Sequence, residues 1–562
     1  MQLHLDLPVH LPKNVYDYGT RTSGETHGVV LTKRHIVDLI LDLAGYTSDA
    51  DLTHKRLLEP AVGQAAFLVP AVERLLAAAS RLGRQVIDLR EAIVAYDIDP
   101  THVQQARAAV REVLRRHRVS ASVAEKLVEH WIREGDFLLA PLTGEIDFIV
   151  GNPPYVRIEQ LDATLHAEYR KRYRTLYDRA DLYVAFIERA LSLLSASGRM
   201  SFICADRWTS NKYGAPLRRL VSEGVQVRCY VDLHQASPFE SEVIAYPSIF
   251  VFSPGASVDV PVVRLQTGSP EECGAVARAL RGPSPELPAG VTVSWYREWF
   301  RGDEPWVLGS PEHLDTLRWL EKSFAPLEET CRVGIGVATG NDSLYITTSS
   351  VNIEPDRLVP LVMRDDIERG TIKDAGRRVI NTFDESGRVV DLARYPKLQA
   401  YLSAHAAQIK RRHVARKNPN AWFRTIDRVY PDLVSVPKLL IPDIAGSNEV
   451  TFDKGQYHPH HNLYFVVSER WDMEILGGLL SSRVALFFIW SYAVKMRGSY
   501  LRFQAQYLRR IRLPEPDAMP SGLAKKVKAA FRARDFHALD ELALQAYGLA
   551  RLPPFDFVDT RK

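Results

Sequence analysis

The stretch Asp147-Phe148-Ile149-Val150-Gly151-Asn152-Pro153-Pro154-Tyr155 holds the residues best suited to chemistry. The apolar run from Ile146 to Val150 predicts a buried strand that ends in a short polar turn. In open α/β sheets ligands bind beyond the carboxyl ends of the strands, so such a turn faces a ligand rather than the core. Asn152 offers an amide carbonyl. Pro153 and Pro154 stiffen the backbone and lack N–H groups, which leaves their carbonyls free to accept. Tyr155 adds a flat aromatic face. Two acceptors above a ring suit a planar amine. An amino group conjugated to a base is a poor nucleophile. Accepting its hydrogens pulls it toward tetrahedral geometry and frees its lone pair, by positioning and electrostatics and without a covalent intermediate.

The elements that must position this turn follow in chain order. Residues Tyr18 to Val30 read as a mobile loop rich in Gly, Thr, Ser and charge. Thr32 reads as the N-cap of a helix whose apolar face is Ile36, Leu39, Ile40 and Leu43. Arg56 to Pro60 is a short strand, and Ala61 to Phe67 turns into a helix through small residues that let backbone approach a ligand. A second strand, Ala92 to Tyr96, ends in Asp97, placed to accept from two ribose hydroxyls. Asp99-Pro100 starts the next helix, and Gly135-Asp136-Phe137 marks a third strand end. A helix from Ala180 to Leu194, which Gly198 ends, precedes strands at Met200 to Cys204, Val225 to Leu233 and Ser248 to Phe252. Asp181 and Tyr183 open that helix, and pocket-shaping, core and cap roles all stay open for them.

Asn-Pro-Pro-Tyr after an apolar strand resembles the catalytic motif of S-adenosylmethionine-dependent amino methyltransferases. With its surroundings, the chain is similar to the gamma-class adenine-N6 DNA methyltransferases of restriction-modification systems, the Taq-type enzymes. The resemblance runs from about residue 18 to 255 and more loosely through the rest. It implies an α/β fold: a Rossmann-like S-adenosylmethionine-dependent methyltransferase sheet with helices on both faces, plus a C-terminal α+β target-recognition domain. It implies that Thr32 holds the cofactor's carboxylate, and that Glu59, Pro60, Ala61 and Gly63 form the cofactor loop. Asp97 would hold the ribose, Ile98 pack on the adenine, Asp136 take the adenine amino group, Phe137 line the pocket and Pro154 touch the cofactor. Ala65 stands where the family usually has a second glycine. Asn152 and the Pro153 carbonyl would take the two N6 hydrogens of a flipped-out adenine, held between Tyr155 and Phe239.

At 562 residues the chain is long enough for two or three domains. The stretch from Ser253 to Pro311 is rich in Pro, Gly and Ser and reads as the passage into a second domain, so the expected division is a methyltransferase catalytic domain at 1–265, a connecting segment at 266–330 and a DNA target-recognition domain at 331–562. Net charge is only +4, so any nucleic-acid footprint must be local. Two acid-free basic stretches interleave with aromatics and suit phosphate contact plus stacking: Lys410, Arg411, Arg412, Arg416 and Lys417 before Trp422, and Lys495, Arg497 and Arg502 around Tyr500 and Phe503. His458, His460 and His461 cluster, but no Cys or acid is well placed in the sequence to complete a metal site, so they read as loop histidines and no metal is expected. Four widely spaced cysteines, no signal peptide and no apolar run long enough to span a bilayer point to a soluble intracellular protein in a reducing compartment, and the resemblance implies a cytoplasmic, bacterial, DNA-associated one. Its expected partner is double-stranded DNA, with a cognate restriction endonuclease on a separate chain; a monomer is expected. The alternatives are a protein-glutamine or RNA methyltransferase, or a DNA-binding subunit of a larger restriction complex.

Overall fold

The computed structural model describes residues 30–142, 144–241, 246–282, 286–348, 350–445, 449–493 and 501–555. The loop expected up to Val30 lies outside the described residues but for Val30 itself. The chain forms two compact units, Met1–Val307 and Leu308–Lys562.

The first unit is built on one nine-stranded sheet: β1 (Leu57–Glu59), β2 (Ile93–Asp97), β3 (Ile132–Glu134), β4 (Ile146–Gly151), β5 (Leu194–Ala205), β6 (Val225–Asp232), β7 (Pro247–Pro254), β8 (Asp259–Leu265) and β9 (Val291–Arg297). Their order across the sheet is β3-β2-β1-β4-β5-β7-β6-β8-β9. β1 pairs in parallel with both β2 and β4, so chain order reverses between β1 and β4. That reversal opens a crevice at the carboxyl ends of these strands. β7 runs antiparallel to β5 and β6.

Eight helices accompany the described part of this sheet: α1 (Arg34–Ala44), α2 (Leu68–Arg81), α3 (Pro100–Arg116), α4 (Ala121–Trp131), α5 (Ala163–Arg172), α6 (Tyr183–Leu193), α7 (Ala215–Gly224) and α8 (Pro270–Ala279). α1 to α4 and α8 share one apolar cluster with Val150, Ile203, Val231, Ile249, Val251 and Val263. Successive strand residues point to opposite faces. Phe202, Tyr230 and Phe250 therefore face the other side, where Phe250 and Tyr230 pack with Trp208 and Trp299 and where α6 and α7 lie. Helices cover both faces, as expected for this α/β architecture.

Three local readings need correction. The stretch from Ser253 to Pro311, read as the passage into a second domain, contains β8, α8 and β9, its two strands extend the sheet, and the first compact unit runs to Val307. Its turn residues dominate the composition, yet Val260, Val262, Val263 and Leu265 are all buried. Gly198 lies within β5 rather than capping α6, at a point where a Cβ would come 2.7 Å from the Ile146 carbonyl oxygen. Thr32 is not the N-cap of α1; Lys33 holds that position, with no side-chain cap.

The second unit is α+β. Strands Arg332–Ile335, Leu463–Val467, Lys438–Pro442 and Thr451–Asp453 form an antiparallel sheet in that order. A second four-stranded sheet contains Leu358–Val362, paired in parallel with His458–Pro459. Helices Met473–Leu480, Arg483–Tyr492, Ser521–Ala533 and Phe536–Tyr547 complete it. Among the described residues no single helix is long and apolar enough to cross a membrane.

Candidate functional site

The carboxyl ends of β1, β2 and β4 border a cleft that opens to solvent. Its lining includes Thr32, Glu59, Ala61, Gly63, Asp97, Asn152, Pro153 and Pro154. Eight residues expected to act together, spread along the chain from Thr32 to Pro154, thus line one cavity.

Asp97 organises the floor. One carboxylate oxygen accepts from the Gly63 amide at 2.7 Å. The other accepts from the Asp99 amide at 2.9 Å and faces His102 Nδ1 at 3.3 Å. The hydrogen bond to Asp97 raises the His102 pKa, against the effect of its burial. Sequence reading missed His102; its one signal was its place on the first turn of α3, five residues after Asp97. Gly63 has a φ of +50° and Ala65 one of +66°. Both positions of the loop are left-handed, which costs an alanine about 1–2 kcal/mol. The alanine in the usual glycine place is therefore accommodated by strain, not by a different turn.

Glu59 is 1% exposed, and its Oε2 has no hydrogen-bond partner among the described residues. Burial, with Asp97 adding to it, holds its carboxyl well above the usual range. An orphan acid beside a second acid, both on a cavity wall, suits a cationic ligand that brings hydrogen-bond donors.

The turn carrying Asn152 is fixed from the other side. Asn152 Nδ2 donates to the Val30 carbonyl at 3.0 Å and lies 3.4 Å from Thr32 Oγ1. This orients the amide so that the buried Oδ1 has no donor among the described residues. The strand-like segment 31–33 is itself pinned to the loop carrying Phe239, through Lys33 N to Pro238 O and Glu240 N to Leu31 O, both 2.9 Å. Tyr155 Oη is also buried without a partner among the described residues, and burial holds the phenol neutral.

The rings of Tyr155 and Phe239, expected to flank a base, meet edge to face: their centroids are 6.4 Å apart with an interplanar angle of 83°. Two parallel faces about 7 Å apart are needed to sandwich a base. The Phe239 backbone is bridged to Thr32, so opening that slot requires its ring to turn about its side-chain bonds.

Four expected cofactor residues do not line the cavity. Pro60 is buried beneath Gly151, and Ile98 is half-buried just beyond it in chain from Asp97. Phe137 is a core ring, packed against Phe186 with the Arg189 guanidinium 5.3 Å from its centroid. Asp136 is also buried. Its oxygens accept from Tyr169 Oη at 2.7 Å and the Leu138 amide at 2.8 Å, partners invisible in sequence.

Burial raises the Asp136 carboxyl from 3.8 to about 6, against the pull of those two donors. Because the folded state binds this proton more tightly, its stabilising contribution is complete below pH 3.8 and is lost as pH rises through 6. Relative to Asp136→Asn, the wild type should lose about 3 kcal/mol of unfolding free energy across that window. Urea unfolding of both proteins at a series of pH values checks this; parallel curves would contradict it.

In the second unit the basic residues divide. Arg411, Arg416 and Lys417 are exposed and make no ion pair among the described residues, and Lys410 lies 5.0 Å from the Trp422 ring centre. Arg412 is a correction to the expected DNA contacts. Its guanidinium donates to the carbonyls of Ile409, Thr339, Trp422 and Arg424 and to Tyr345 Oη, so its donors are spent inside the unit. Arg502 is paired with Asp443, and Lys495 and Arg497 lie outside the described residues.

Comparison with known proteins agrees with this arrangement. Residues 92–239 match the family described as Eco57I restriction-modification methylase, and residues 380–513 match the TaqI-like C-terminal specificity domain. The chain is 46% identical to the type II methyltransferase M.XhoI of Xanthomonas vasicola, over 93% of this chain and 98% of that one. It is also 46% identical to the type II methyltransferase M.PaeR7I of Pseudomonas aeruginosa, over 94% and 92% of the two chains. Among solved structures, the type IIL restriction-modification enzyme MmeI in complex with DNA is similar in fold, with a TM-score of 0.57 at 14% identity over 93% of this chain and 73% of that chain.

Proposed function

The chain belongs to the type II DNA methyltransferases of restriction-modification systems, with S-adenosylmethionine as methyl donor, and on that premise we propose that it methylates the exocyclic N6 of an adenine within a short double-stranded DNA sequence. The residues of the cavity fit the donor. S-adenosylmethionine carries a cationic amino group and a ribose diol, and the wall offers the orphan Glu59 carboxyl and the Asp97 carboxylate. Glu59 and Thr32 would hold the amino acid portion, Asp97 the ribose, and Pro154 the reacting end. When bound, the donor supplies an electrophilic methyl group.

The observation that carries the reading is Asn152 Oδ1: an oriented, buried acceptor with no donor among the described residues, on the same wall as the cofactor residues. A planar amino group satisfies it. Asn152 Oδ1 and the Pro153 carbonyl accept its two hydrogens and so turn the nitrogen lone pair out of conjugation. Asn152 and Pro153 do this without transferring a proton themselves. Tyr155 supports one face of the base and Phe239, once its ring has turned, the other. Inside the duplex N6 cannot be approached in line, so the adenine is flipped out of the stack.

The second unit supplies recognition in this reading, with Arg411, Arg416 and Lys417 on phosphates. Changing these three to glutamine should weaken binding to all DNA sequences alike. It should also make the plot of log affinity against log salt shallower by about 0.9 for each phosphate no longer neutralised. An unchanged slope in fluorescence-anisotropy titrations would remove them from the interface. A separate endonuclease chain with the same site, a monomeric state and a place in the bacterial cytoplasm complete the proposal. M.XhoI and M.PaeR7I, which match nearly the whole chain, are named as methyltransferases alone, which supports the separate endonuclease. Nucleoside analysis of DNA from a methylation-free host expressing the protein tests the reaction: N6-methyladenine supports it, and N4-methylcytosine would replace it.

A further inference from the structure

The second unit brings together three side chains that the catalytic reading does not use. The backbone leaves strand Arg332–Ile335 through Gly336 and Val337 and presses against residues 459–461. Val337 N donates to the Pro459 carbonyl at 2.9 Å, and His461 N donates to the Val337 carbonyl at 3.1 Å. A Cβ at Gly336 would lie 2.3 Å from the His460 carbonyl oxygen, so only glycine allows this approach. The turn that follows delivers Asp342, 118 residues away in sequence, to His460.

At the meeting point His460 Nε2 faces Asp342 Oδ2 at 3.0 Å and His461 Nδ1 at 2.9 Å. Ligand atoms of the three side chains all lie within 4.8 Å of one another. Protons satisfy this arrangement poorly. If His461 Nδ1 donates to His460 Nε2, that nitrogen turns a lone pair toward the Asp342 carboxylate. If His460 Nε2 donates to Asp342, its one hydrogen must serve both neighbours. A shared cation satisfies all three lone pairs at once. With metal–ligand bonds of about 2.1 Å, ligands lie about 3.0 Å apart at right angles and about 3.4 Å apart in the tetrahedral geometry zinc favours. The two short contacts sit at the close end of that range, so a small side-chain adjustment seats the ion.

The carboxylate is also held in place. Its other oxygen, Oδ1, accepts from Thr339 Oγ1 at 2.6 Å, and Thr339 Oγ1 in turn accepts from the Asn341 amide at 3.1 Å. Thr339 is fully buried. Such outer hydrogen bonds orient metal-ligating carboxylates. His458 stands apart: its Nδ1 faces the Pro459 carbonyl and its Nε2 accepts from the Tyr430 amide.

We propose that Asp342, His460 and His461 bind one divalent first-row transition-metal cation, with zinc the best match to a two-imidazole, one-carboxylate set. His460 is buried and His461 exposed, so the ion is reached from solvent and keeps positions open for water. It fastens the turn ending at Asp342 to the segment 458–461. The backbone bonds between those segments form the site before the ion arrives.

The test uses the full-length protein without a histidine tag, stripped with a chelator and titrated with zinc by calorimetry. Cobalt(II) absorption serves as a second readout of coordination. The wild type should bind one equivalent at this site. His461→Ala, at an exposed position that leaves the core intact, and Asp342→Asn should each weaken that equivalent by about tenfold or more. His413→Ala, a histidine outside the cluster, should not. Zinc should raise the unfolding midpoint of the wild type and leave that of His461→Ala unmoved. Absence of an equivalent in the wild type, or equal binding by wild type and both ligand variants, would overturn the proposal.

Discussion

Asn152→Ala should lower the methyl-transfer rate by at least about 10³-fold while S-adenosylmethionine affinity falls by no more than about tenfold. The two effects separate because the side chain has two ends. Its Nδ2 holds the 30–32 segment through Val30 O and Thr32 Oγ1, and losing these bonds loosens one wall of the cofactor cavity. Ordinary hydrogen bonds of this kind contribute about 1 kcal/mol each. Its Oδ1 is the acceptor with no partner among the described residues, and its work falls on the reacting amine. Single-turnover rates and equilibrium cofactor binding on the same preparation separate the ends. Turnover within about tenfold of wild type would remove Asn152 from the chemistry.

Asp97→Ala should act on the opposite balance, raising the dissociation constant for S-adenosylmethionine by about 10²-fold or more. A hydrogen bond to a charged group contributes about 1.5–3 kcal/mol, and two ribose hydroxyls would each lose one. The variant also frees the Gly63 and Asp99 amides, so the loop after β1 and the start of α3 lose their common anchor. His102 reports this directly: its pKa, raised by Asp97, should fall when the carboxylate is gone. NMR titration of His102 together with calorimetry of cofactor binding checks both. Cofactor affinity within about threefold of wild type would place the ribose elsewhere, since such a change corresponds to less than one charged hydrogen bond.

Much of the catalytic unit was legible because its signals are local. An apolar strand, a polar turn and the order of strand-end residues place Thr32, Glu59, Gly63, Asp97 and Asn152 together at the reversal of the sheet. What was not legible depends on partners far away in sequence. Asp136 and Phe137 carry the right residue types at a strand end, but Tyr169, Phe186 and Arg189 bury them. Arg412 has the same composition signal as Arg411, and only the fold shows that one points into a cage of carbonyls and the other into solvent. β8 and β9 were hidden because short strands are diluted by the Pro, Gly and Ser of the turns around them. The histidines at 460 and 461 were read as loop residues because their acid, Asp342, arrives from another strand end.

The most direct measurement of the central claim is modification-sensitive sequencing of DNA from a methylation-free host that expresses this protein or its Asn152→Ala variant. N6-methyladenine at one position of one short sequence, absent with the variant, is the expected result. Unmodified adenine throughout, from wild-type protein that binds S-adenosylmethionine and DNA, would contradict it.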